Sequence, residues 1–295
     1  MRGVGVLEEV EVLKEIKGIY ALRPYYERYF RHIDAFLDNN VVNGMIVVGE
    51  AGIGKSFNLF LRLEEKGINY VVARGHCTPL SFYRMLYEHR DGWVIVIEDA
   101  YTAISDREIQ TMLLDALDYN LKVVQWNSSS MLEDLPESFT FSSKIIIVLN
   151  EIPKDREIVR ALKDRCIIYK MRFSLKEKLE MMRILAEARG YPAELVDYIE
   201  DLAVKEGISN LSLRLLDKVH SYFGKEGWKD LIEDLLEKDP VTAVVRKLLA
   251  SGLPVKKQVE IFTEETGLSR RTFFRIKKRI AERENLILND QEVGG

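Results

Sequence analysis

The sequence predicts an α/β protein in which a parallel sheet is followed by purely helical segments. Up to residue 173, short apolar runs typical of buried strands alternate with amphipathic helical stretches. Such alternation is typical of a parallel sheet with helices on both faces. From Ser174 onward, helical patterns follow one another with no strand pattern between them. We therefore expect a three-layer α/β domain, then an α-helical lid and a small C-terminal helical domain.

The predicted strands are continuous apolar runs of strand length, which indicate burial on both faces of a sheet. They read VNGMIVVG (42–49), INYVVA (68–73), WVIVI (93–97), KIIIVLN (144–150) and CIIYKMRF (166–173). The predicted helices are YYERYFRHIDAFLD (25–38), a helix from Lys55, PLSFYRMLYEH (79–89) and REIQTMLLDALDY (107–119). This order predicts an α/β domain with an N-terminal helical segment for residues 1–173.

Two helical domains are predicted after the sheet. Ser174 and Glu177 match a capping box and begin a series of three amphipathic helices, which predicts the lid at 174–238. Beyond a Lys-Asp-Pro linker, three short helical patterns predict a helix-turn-helix or winged-helix domain at 239–295.

Length and composition predict a folded protein with no membrane segment. The 295 residues are 47% hydrophobic and 31% charged, which excludes a disordered chain. No apolar run approaches the roughly 18 residues of a membrane span, and the N-terminus becomes acidic too early for a secretory signal. Cys77 and Cys166 lack metal-ligand or CxxC spacing. We expect a cytoplasmic protein with reduced cysteines, and its many charges and few glutamines are typical of a thermophile.

Charge is distributed unevenly along the chain. The whole sequence carries a net charge of −4, but residues 241–283 contain eleven Lys and Arg against four Asp and Glu, a balance of +7. The rest of the chain therefore carries −11. A basic segment on an acidic body predicts that the C-terminal domain meets a polyanion.

A glycine-rich loop joins the first predicted strand to the helix that follows. Its sequence GEAGIGKS matches G-x-x-x-x-G-K-[ST], and a strand before it and a helix after it are the context in which this motif holds phosphates. Backbone N–H groups bind the phosphates, the lysine reaches their outer oxygens, and the serine hydroxyl holds Mg²⁺. Since no guanine-binding Asn-Lys-x-Asp sequence follows, we expect ATP. The predicted ATP-binding residues are Gly49, Glu50, Ala51, Gly52, Ile53, Gly54, Lys55, Ser56 and Phe57.

With these motifs the chain resembles the AAA+ ATPases over residues 20–225, including phage- and plasmid-borne members. The resemblance implies that Asn150, at the end of KIIIVLN, is the sensor-1 residue that helps to position the attacking water. It also implies that Arg165, in ALKDRC, is an arginine finger offered to a neighbouring subunit, and that Arg214, in NLSLRLLDKV, is the sensor-2 residue that contacts the nucleotide. A homo-oligomer, either ring or filament, with ATP at its subunit interfaces is a further implication.

The strand WVIVI ends in two carboxylates, Glu98 and Asp99, whose oxygens suit Mg²⁺ together with the Ser56 hydroxyl. Their order departs from the family pattern, in which Asp holds Mg²⁺ and the following Glu activates water. If the apolar run sets the register, Glu98 is the metal-side carboxylate and Asp99 the base. Asp99 is one methylene shorter than Glu, so hydrolysis would be slow while ATP binding stays tight. In the alternative register, Asp99 holds Mg²⁺ and Ala100 stands where the base should be.

Simpler interpretations of these residues stay open. Asn150 is also a common type of strand-end turn former, Arg165 a surface arginine paired with its acidic neighbour, and Arg214 one charge on an exposed helix face. The segment between LKVVQWN and FTFSS is either a hairpin inserted before Asn150 or a loop held by packing of Trp126 and Phe139. The four histidines show no ligand spacing and receive no chemical role.

The C-terminal domain carries a helix-turn-helix pattern with a basic second helix. Gly267 is expected to end one helix and Ser269 to cap the next. In the last helix, Phe273, Ile276 and Ile280 share one face, while arginines recur every four residues on another. Such a basic face suits the major groove of double-stranded DNA, and a solvated charged face is the alternative. The predicted DNA-binding residues are Lys256, Lys257, Arg270, Arg271, Thr272, Arg275, Lys278 and Arg279.

The sequence supports three functional hypotheses. The domain order resembles replication initiators, so the first is a DNA-binding AAA+ ATPase that assembles on DNA to start replication or load a helicase for a mobile element, virus or plasmid. The second is a nucleotide-gated DNA-binding scaffold with little ATP turnover, such as a transposition target selector or a regulator. The expected partner protein is a helicase under the first hypothesis and a recombinase under the second. The third is a protein-remodelling ATPase whose C-terminal domain binds a partner protein.

Overall fold

The computed structural model describes residues 4–75, 77–98, 106–126, 134–152, 157–205, 211–235, 240–278 and 280–281. The chain divides into two units: residues 21–173 form the sheet unit, and residues 1–20 together with 174–295 form the helical unit. The long first helix, α1 (Val4–Leu37), contributes residues to both.

Five parallel strands form the centre of the sheet unit. The strands of this unit are β1 (Gly44–Val48), β2 (Tyr70–Arg74), β3 (Val94–Glu98), β4 (Val123–Gln125), β5 (Ser138–Thr140), β6 (Lys144–Leu149) and β7 (Cys166–Lys170). The main sheet has the order β2-β3-β6-β1-β7, and every neighbouring pair is parallel. Each of its strands coincides with a predicted apolar run, so the predicted parallel sheet is confirmed.

Helices cover both faces of this sheet. They are α1, α2 (Lys55–Glu65), α3 (Pro79–Glu88), α4 (Arg107–Ala116) and α5 (Glu157–Arg165). On one face, Ile95 and Ile147 pack with buried side chains of α3 and α4. On the other, the Tyr169 ring of β7 stacks on Tyr29 of α1, with centroids 5.0 Å apart. Apolar runs buried on both faces are therefore explained by the layers on each side.

The short strands β4 and β5 pair as an antiparallel hairpin just before β6. Phe139 of β5 is 8% exposed and belongs to the core of the sheet unit. The Trp126 ring lies 5.3 Å from that of Tyr83. The two interpretations of this segment are thus both correct, because the hairpin forms and its aromatic residues pack on the domain. Residues 127–133 lie outside the described part of the chain.

The helical unit contains α6 (Leu175–Arg189), α7 (Ala193–Lys205), α8 (Leu215–Tyr222), α9 (Trp228–Leu235), α10 (Pro240–Ala250) and α11 (Val255–Thr266). The predicted capping box at the start of α6 is confirmed, because the Ser174 and Glu177 side chains bond each other's backbone N–H groups. Helix α9 was not among the predicted helices. It is held by Trp228, whose ring packs against Tyr198 at 5.1 Å and Phe223 at 4.9 Å.

Three short helices share a core at the C-terminal end of the helical unit. Residues 270–278 and 280–281 are helical, and we call them the terminal helix. As predicted, α11 ends at Gly267, with φ of +67°, and the Ser269 hydroxyl accepts a bond from the Thr272 N–H. The residues that form the core are Val245, Leu248, Phe262, Phe273, Ile276 and Ile280. A wing would fall in residues 282–295, which lie outside the described residues.

Candidate functional site

The predicted phosphate loop, residues 49–54, connects β1 to α2 at the edge where the strands end. Gly54 has φ of +80°, and a Cβ there would lie 2.6 Å from the Tyr26 hydroxyl oxygen. A Cβ on Gly49 would lie 2.7 Å from the backbone oxygen of Met171. Both glycines of the motif are therefore required by the shape of the loop, one by its left-handed conformation and both by the lack of space.

The Lys55 ammonium group is held by three oxygens at this loop. Its Nζ donates to the backbone oxygens of Gly49 and Glu50, each at 2.7 Å, and to Asn150 Oδ1 at 3.0 Å. The residue is only 7% exposed. The predicted phosphate-binding lysine and the predicted sensor-1 residue are thus in direct contact, although they are 95 positions apart in the chain.

Strand order explains this contact. Strand β6 lies between β1 and β3, and because all three are parallel, their carboxyl ends meet at one edge. Asn150 directly follows β6, and Glu98 is the last residue of β3, level with Val148 of β6. The same edge therefore carries the loop, Asn150 and Glu98. Asp99 lies outside the described residues, so the register of the two acids stays a prediction.

Glu98 has a partner that sequence reasoning missed. Arg74, the last residue of β2, lies opposite Glu98 in the register, and its Nε forms an ion pair with Glu98 Oε2. The Glu98 side chain is 13% exposed and the Arg74 side chain 65%. An arginine directly after the apolar run INYVVA was the available signal, because neighbouring parallel strands bring their last residues together.

Two further residues support the loop from within the sheet unit. The Tyr26 hydroxyl, on α1, donates to the backbone oxygen of Ile53 at 2.9 Å. Asn58 Nδ2 donates to the backbone oxygen of Gly54 at 2.8 Å. Burial raises the pKa of Tyr26 far above its usual value, so its hydroxyl stays a donor at neutral pH. In the sequence Tyr26 looks like any aromatic residue on an apolar helix face, and nothing marked it.

The loop and its surroundings fit a nucleoside triphosphate and a hard metal ion. Helix α2 begins at Lys55, and its N-cap residue, Gly54, has no side chain that could accept from the first N–H groups of the helix. These N–H groups face the loop and are suited to donate to a bound anion. The half-buried Ser56 hydroxyl and the Glu98 carboxylate are oxygen donors of the kind Mg²⁺ prefers. Of the remaining predicted ATP-binding residues, Ile53 is buried, Gly52 half-buried, and Glu50, Ala51 and Phe57 exposed.

Arg165 lies at the amino-terminal ends of the strands, opposite to the carboxyl ends that carry the phosphate loop. It ends α5 directly before β7, whose first residue, Cys166, is level with Gly44 at the start of β1. Five residues of strand, about 17 Å, separate this level from the phosphate loop. Arg165 Nη1 donates to the backbone oxygen of Ala161 at 3.3 Å. Its charge also acts on Asp115, whose carboxyl pKa is raised by burial and lowered in part by this arginine.

Arg214 belongs to the helical unit, whereas the phosphate loop belongs to the sheet unit. It is exposed at the N-cap of α8, and its backbone N–H donates to the Ser212 hydroxyl at 3.1 Å. Its predicted role as sensor 2 therefore stays a prediction.

Apart from Arg279, the predicted DNA-binding residues lie on α11 and the terminal helix. Their basic side chains are exposed wherever they are described, and Thr272, near the start of the terminal helix, is half-buried. Arg279 lies outside the described residues. The exposed basic residues are Lys256, Lys257, Arg270, Arg271, Arg275 and Lys278.

Other reactive groups give no sign of a second site. Cys77 and Cys166 are free, and burial raises the pKa of the Cys166 thiol to about 12, so it is not a reactive thiolate. Within the described ranges, no group of three or more His, Cys, Asp and Glu residues is arranged to hold a metal. Within the same ranges, no helix is both long and apolar enough to cross a membrane.

Comparisons with known proteins agree with the fold. No family model matches the chain. An uncharacterized 36.7 kDa protein from the nrdC-mobD intergenic region of enterobacteria phage T4 is 28% identical over 144 residues. That match covers 45% of this chain and 44% of the phage protein, so the chain spans less than half the length of the curated relative it matches. Two mutant forms of RuvB from Thermotoga maritima align with TM-scores of 0.51 and 0.50 at 12% and 11% identity, each covering 84% of this chain and 82% of RuvB.

Proposed function

The chain has the fold of the AAA+ ATPases, and on that premise we propose that it hydrolyses ATP, binds double-stranded DNA and assembles with copies of itself. The observation that carries the proposal is the contact of Lys55 Nζ with Asn150 Oδ1, 3.0 Å apart at the end of the central strands. A buried ammonium beside a polar amide, next to an uncapped helix N-terminus, is suited to binding a phosphate chain.

Each residue at this edge has a distinct role in the proposal. Lys55 would hold the outer phosphate oxygens in place of its loop carbonyls, and Asn150 would then be able to orient a water molecule. Ser56 and Glu98 would supply oxygen ligands for Mg²⁺, and Asp99 would follow as the base in the register set by the apolar run. Bound Mg·ATP supplies the phosphoryl group and the metal charge that neutralises it.

Arg165 acts on a neighbouring subunit in this proposal. About 17 Å of strand lies between its level and the phosphate loop of its own chain, which is farther than an arginine side chain reaches. An arginine that serves ATP must then meet the nucleotide of another copy. This geometry supports a homo-oligomer, ring or filament, with ATP at the subunit interfaces.

The helical unit supplies the DNA-binding part of the proposal. Residues 241–283 carry a charge of +7, against −11 for the remainder, and the exposed Lys and Arg residues of α11 and the terminal helix contribute to it. Together with the phage relative, this favours a protein of a virus or other mobile element that assembles on DNA for replication initiation or helicase loading.

One observation favours the alternative of a nucleotide-gated scaffold with little turnover. Glu98 already forms an ion pair with Arg74, so Mg²⁺ would have to compete with that ion pair for the carboxylate. A short Asp99 as base would slow hydrolysis further. A transposition target selector or a regulator needs ATP binding to control assembly and has no need of rapid hydrolysis.

The decisive experiment measures ATP hydrolysis with and without duplex DNA, and particle mass with a non-hydrolysable ATP analogue. Stimulation of turnover by DNA supports the ATPase that assembles on DNA, while ATP-dependent assembly on DNA without turnover supports the scaffold. Turnover that ignores DNA supports a protein-remodelling ATPase. Lys55→Ala should lose ATP binding, and Lys66→Ala, at the other end of the same helix, should retain it. Equal ATP affinity in the two variants would refute the site.

A second experiment uses the full chain to test whether the basic residues of α11 and the terminal helix bind DNA. If four or five basic residues contact phosphates, log K should fall against log salt with a slope of about −4. The double variant Arg271→Gln/Arg275→Gln should weaken duplex binding. The control Lys176→Gln/Lys218→Gln removes the same charge from exposed sites on α6 and α8 and should bind normally. Equal loss in both double variants would show that total charge, and not the terminal helix, governs binding.

A further inference from the structure

An exposed aromatic ring interrupts the basic face of the terminal helix. Phe274 is 38% exposed, whereas its neighbour Phe273 is fully buried in the shared core. At about 100° per residue, five basic residues lie within about 100° of Phe274 around the helix axis, and all but the half-buried Lys277 are exposed. The four exposed residues are Arg270, Arg271, Arg275 and Lys278.

Two contacts fix the ring within this face. The Arg270 guanidinium carbon lies 5.5 Å from the ring centroid, and the Phe273 ring meets it edge-on with centroids 5.5 Å apart. A single exposed apolar residue is ordinary on a protein surface. Here, however, the ring contacts Arg270 on a helix face that also carries other exposed basic residues, and no acid occurs between Glu265 and Glu282. The partner of this face must therefore combine an apolar group with negative charge.

We propose that Phe274 contacts thymine methyl groups in the major groove and so gives the protein a preference for sites that contain thymine. The inference rests on the DNA-binding role proposed above. The 5-methyl of thymine is the apolar group that base pairs present in the major groove, and the phosphates on both sides match the flanking cations. Phe274 is the fifth residue of the terminal helix, and the first residues of a recognition helix lie nearest the base edges.

A protein partner is the other class of occupant for this face. Leu268 and Val255 of the same unit are also exposed, at 37% and 43%, and a protein partner would cover apolar residues of this kind. The four cations around Phe274 would leave such a partner with charges to neutralise. A duplex carries phosphates beside every base pair, so it meets both requirements at once.

The first test removes the thymine methyl group from the DNA and leaves the protein unchanged. The full-length protein, with a non-hydrolysable ATP analogue, selects duplexes from a random-sequence pool. The selected duplex is then resynthesised with deoxyuridine in place of one thymine at a time. Loss of one buried methyl group from the contact should weaken binding about fourfold.

We expect deoxyuridine at one or two positions to weaken binding by the wild-type protein about fourfold and to leave binding by Phe274→Ala unchanged. Phe274→Leu keeps an apolar side chain and should keep part of the preference. Leu268→Ala removes another exposed apolar residue and should keep the preference in full. Thermal unfolding is measured for all three variants, and Phe274→Ala should lose only a little stability, because its ring is partly solvated and packs on Phe273 from the surface of the core.

Three outcomes would count against the inference. If the wild-type protein binds duplexes but no thymine methyl matters, or if the preference survives in Phe274→Ala, the inference falls while DNA binding stands. If Phe274→Ala keeps the methyl preference and loses a complex with a protein, the face belongs to a protein partner. If the wild-type protein binds no duplex, the proposed function itself fails and the inference fails with it.

Discussion

Replacing Tyr26 by phenylalanine removes a single hydroxyl from the support of the phosphate loop, and the same change at Tyr29 provides a matched control. The two tyrosines lie three positions apart on α1 and are 2% and 1% exposed. The Tyr26 hydroxyl donates to Ile53 at 2.9 Å. The Tyr29 hydroxyl is buried and, among the residues that the structure describes, has no hydrogen-bond partner.

The structure predicts opposite effects for these two changes. Tyr26→Phe leaves the backbone oxygen of Ile53 buried without its donor, which should cost about 1–2 kcal/mol and lower the unfolding temperature by roughly 2–8 °C. Tyr29→Phe removes a hydroxyl that is desolvated without compensation, so stability should stay constant or rise by up to about 1 kcal/mol. Because Tyr26 also holds the loop in shape, Tyr26→Phe should weaken ATP binding by up to about tenfold.

The assay combines thermal unfolding with titration of a fluorescent ATP analogue on the wild-type protein and both variants. Burial raises the pKa of both hydroxyls well above neutrality, so neither ionises in the range of the measurements. A Tyr29→Phe variant that loses as much stability and ATP affinity as Tyr26→Phe would refute the reasoning, because the loss would then follow from altered packing of α1. Unchanged ATP affinity in Tyr26→Phe would show that the hydrogen bond does not shape the loop.

Three more predictions address the acids, the arginine finger and pH. Asp99→Asn should retain Mg·ATP and lose turnover, while Glu98→Gln should weaken the Mg²⁺ dependence of ATP binding; reversed roles in the binding and rate measurements would select the alternative register. Arg165→Ala should bind ATP normally and hydrolyse it roughly 10³-fold more slowly, and mixing it with a variant that cannot bind ATP should restore activity; a wild-type rate per monomer that is the same at every protein concentration would exclude a finger acting between subunits. The Arg62 guanidinium, bonded to Asp34, holds the pKa of that carboxyl below its usual range. The resulting stability, about 1 kcal/mol, is present above the unfolded pKa of about 4 and is lost as pH falls through the folded pKa. Asp34→Asn should therefore be less stable than the wild-type protein at pH 7 and equal to it near pH 2 by thermal unfolding; a difference that persists in acid would assign the loss to packing.

The parts of the fold that were predictable are those with a strong local pattern. Continuous apolar runs such as KIIIVLN are explained by burial on both faces, and each run became a strand of the parallel sheet. The capping box at Ser174 and the glycine at 267 are local signals as well, because the bonds they make span only a few residues. Helix α9 was not predicted because it is held by the contacts of Trp228 with Tyr198 and Phe223. Tyr198 lies 30 positions away in the chain, so no local pattern indicates this contact.

The site follows the same division. The sequence of the phosphate loop carries its chemistry within eight residues, and Asn150 and Glu98 could be recognised at strand ends. Arg74 was missed because its importance depends on which strand lies beside β3. Tyr26 was missed because an aromatic residue on an apolar helix face is normally a core residue, and only the folded chain brings its hydroxyl to Ile53.

By itself, the sequence predicted the phosphate loop, and it determined the parallel sheet, the change to helices after residue 173 and the basic character of the terminal helix. These features depend on periodicity, on glycine conformation and on charge, all of which act over short stretches of chain. Only the tertiary structure decided that Lys55 contacts Asn150 and that Glu98 is paired with Arg74. It also decided that Arg165 lies at the amino-terminal ends of the strands, away from the phosphate loop. Each of these depends on strand order and register, which are set by packing between segments far apart in the chain.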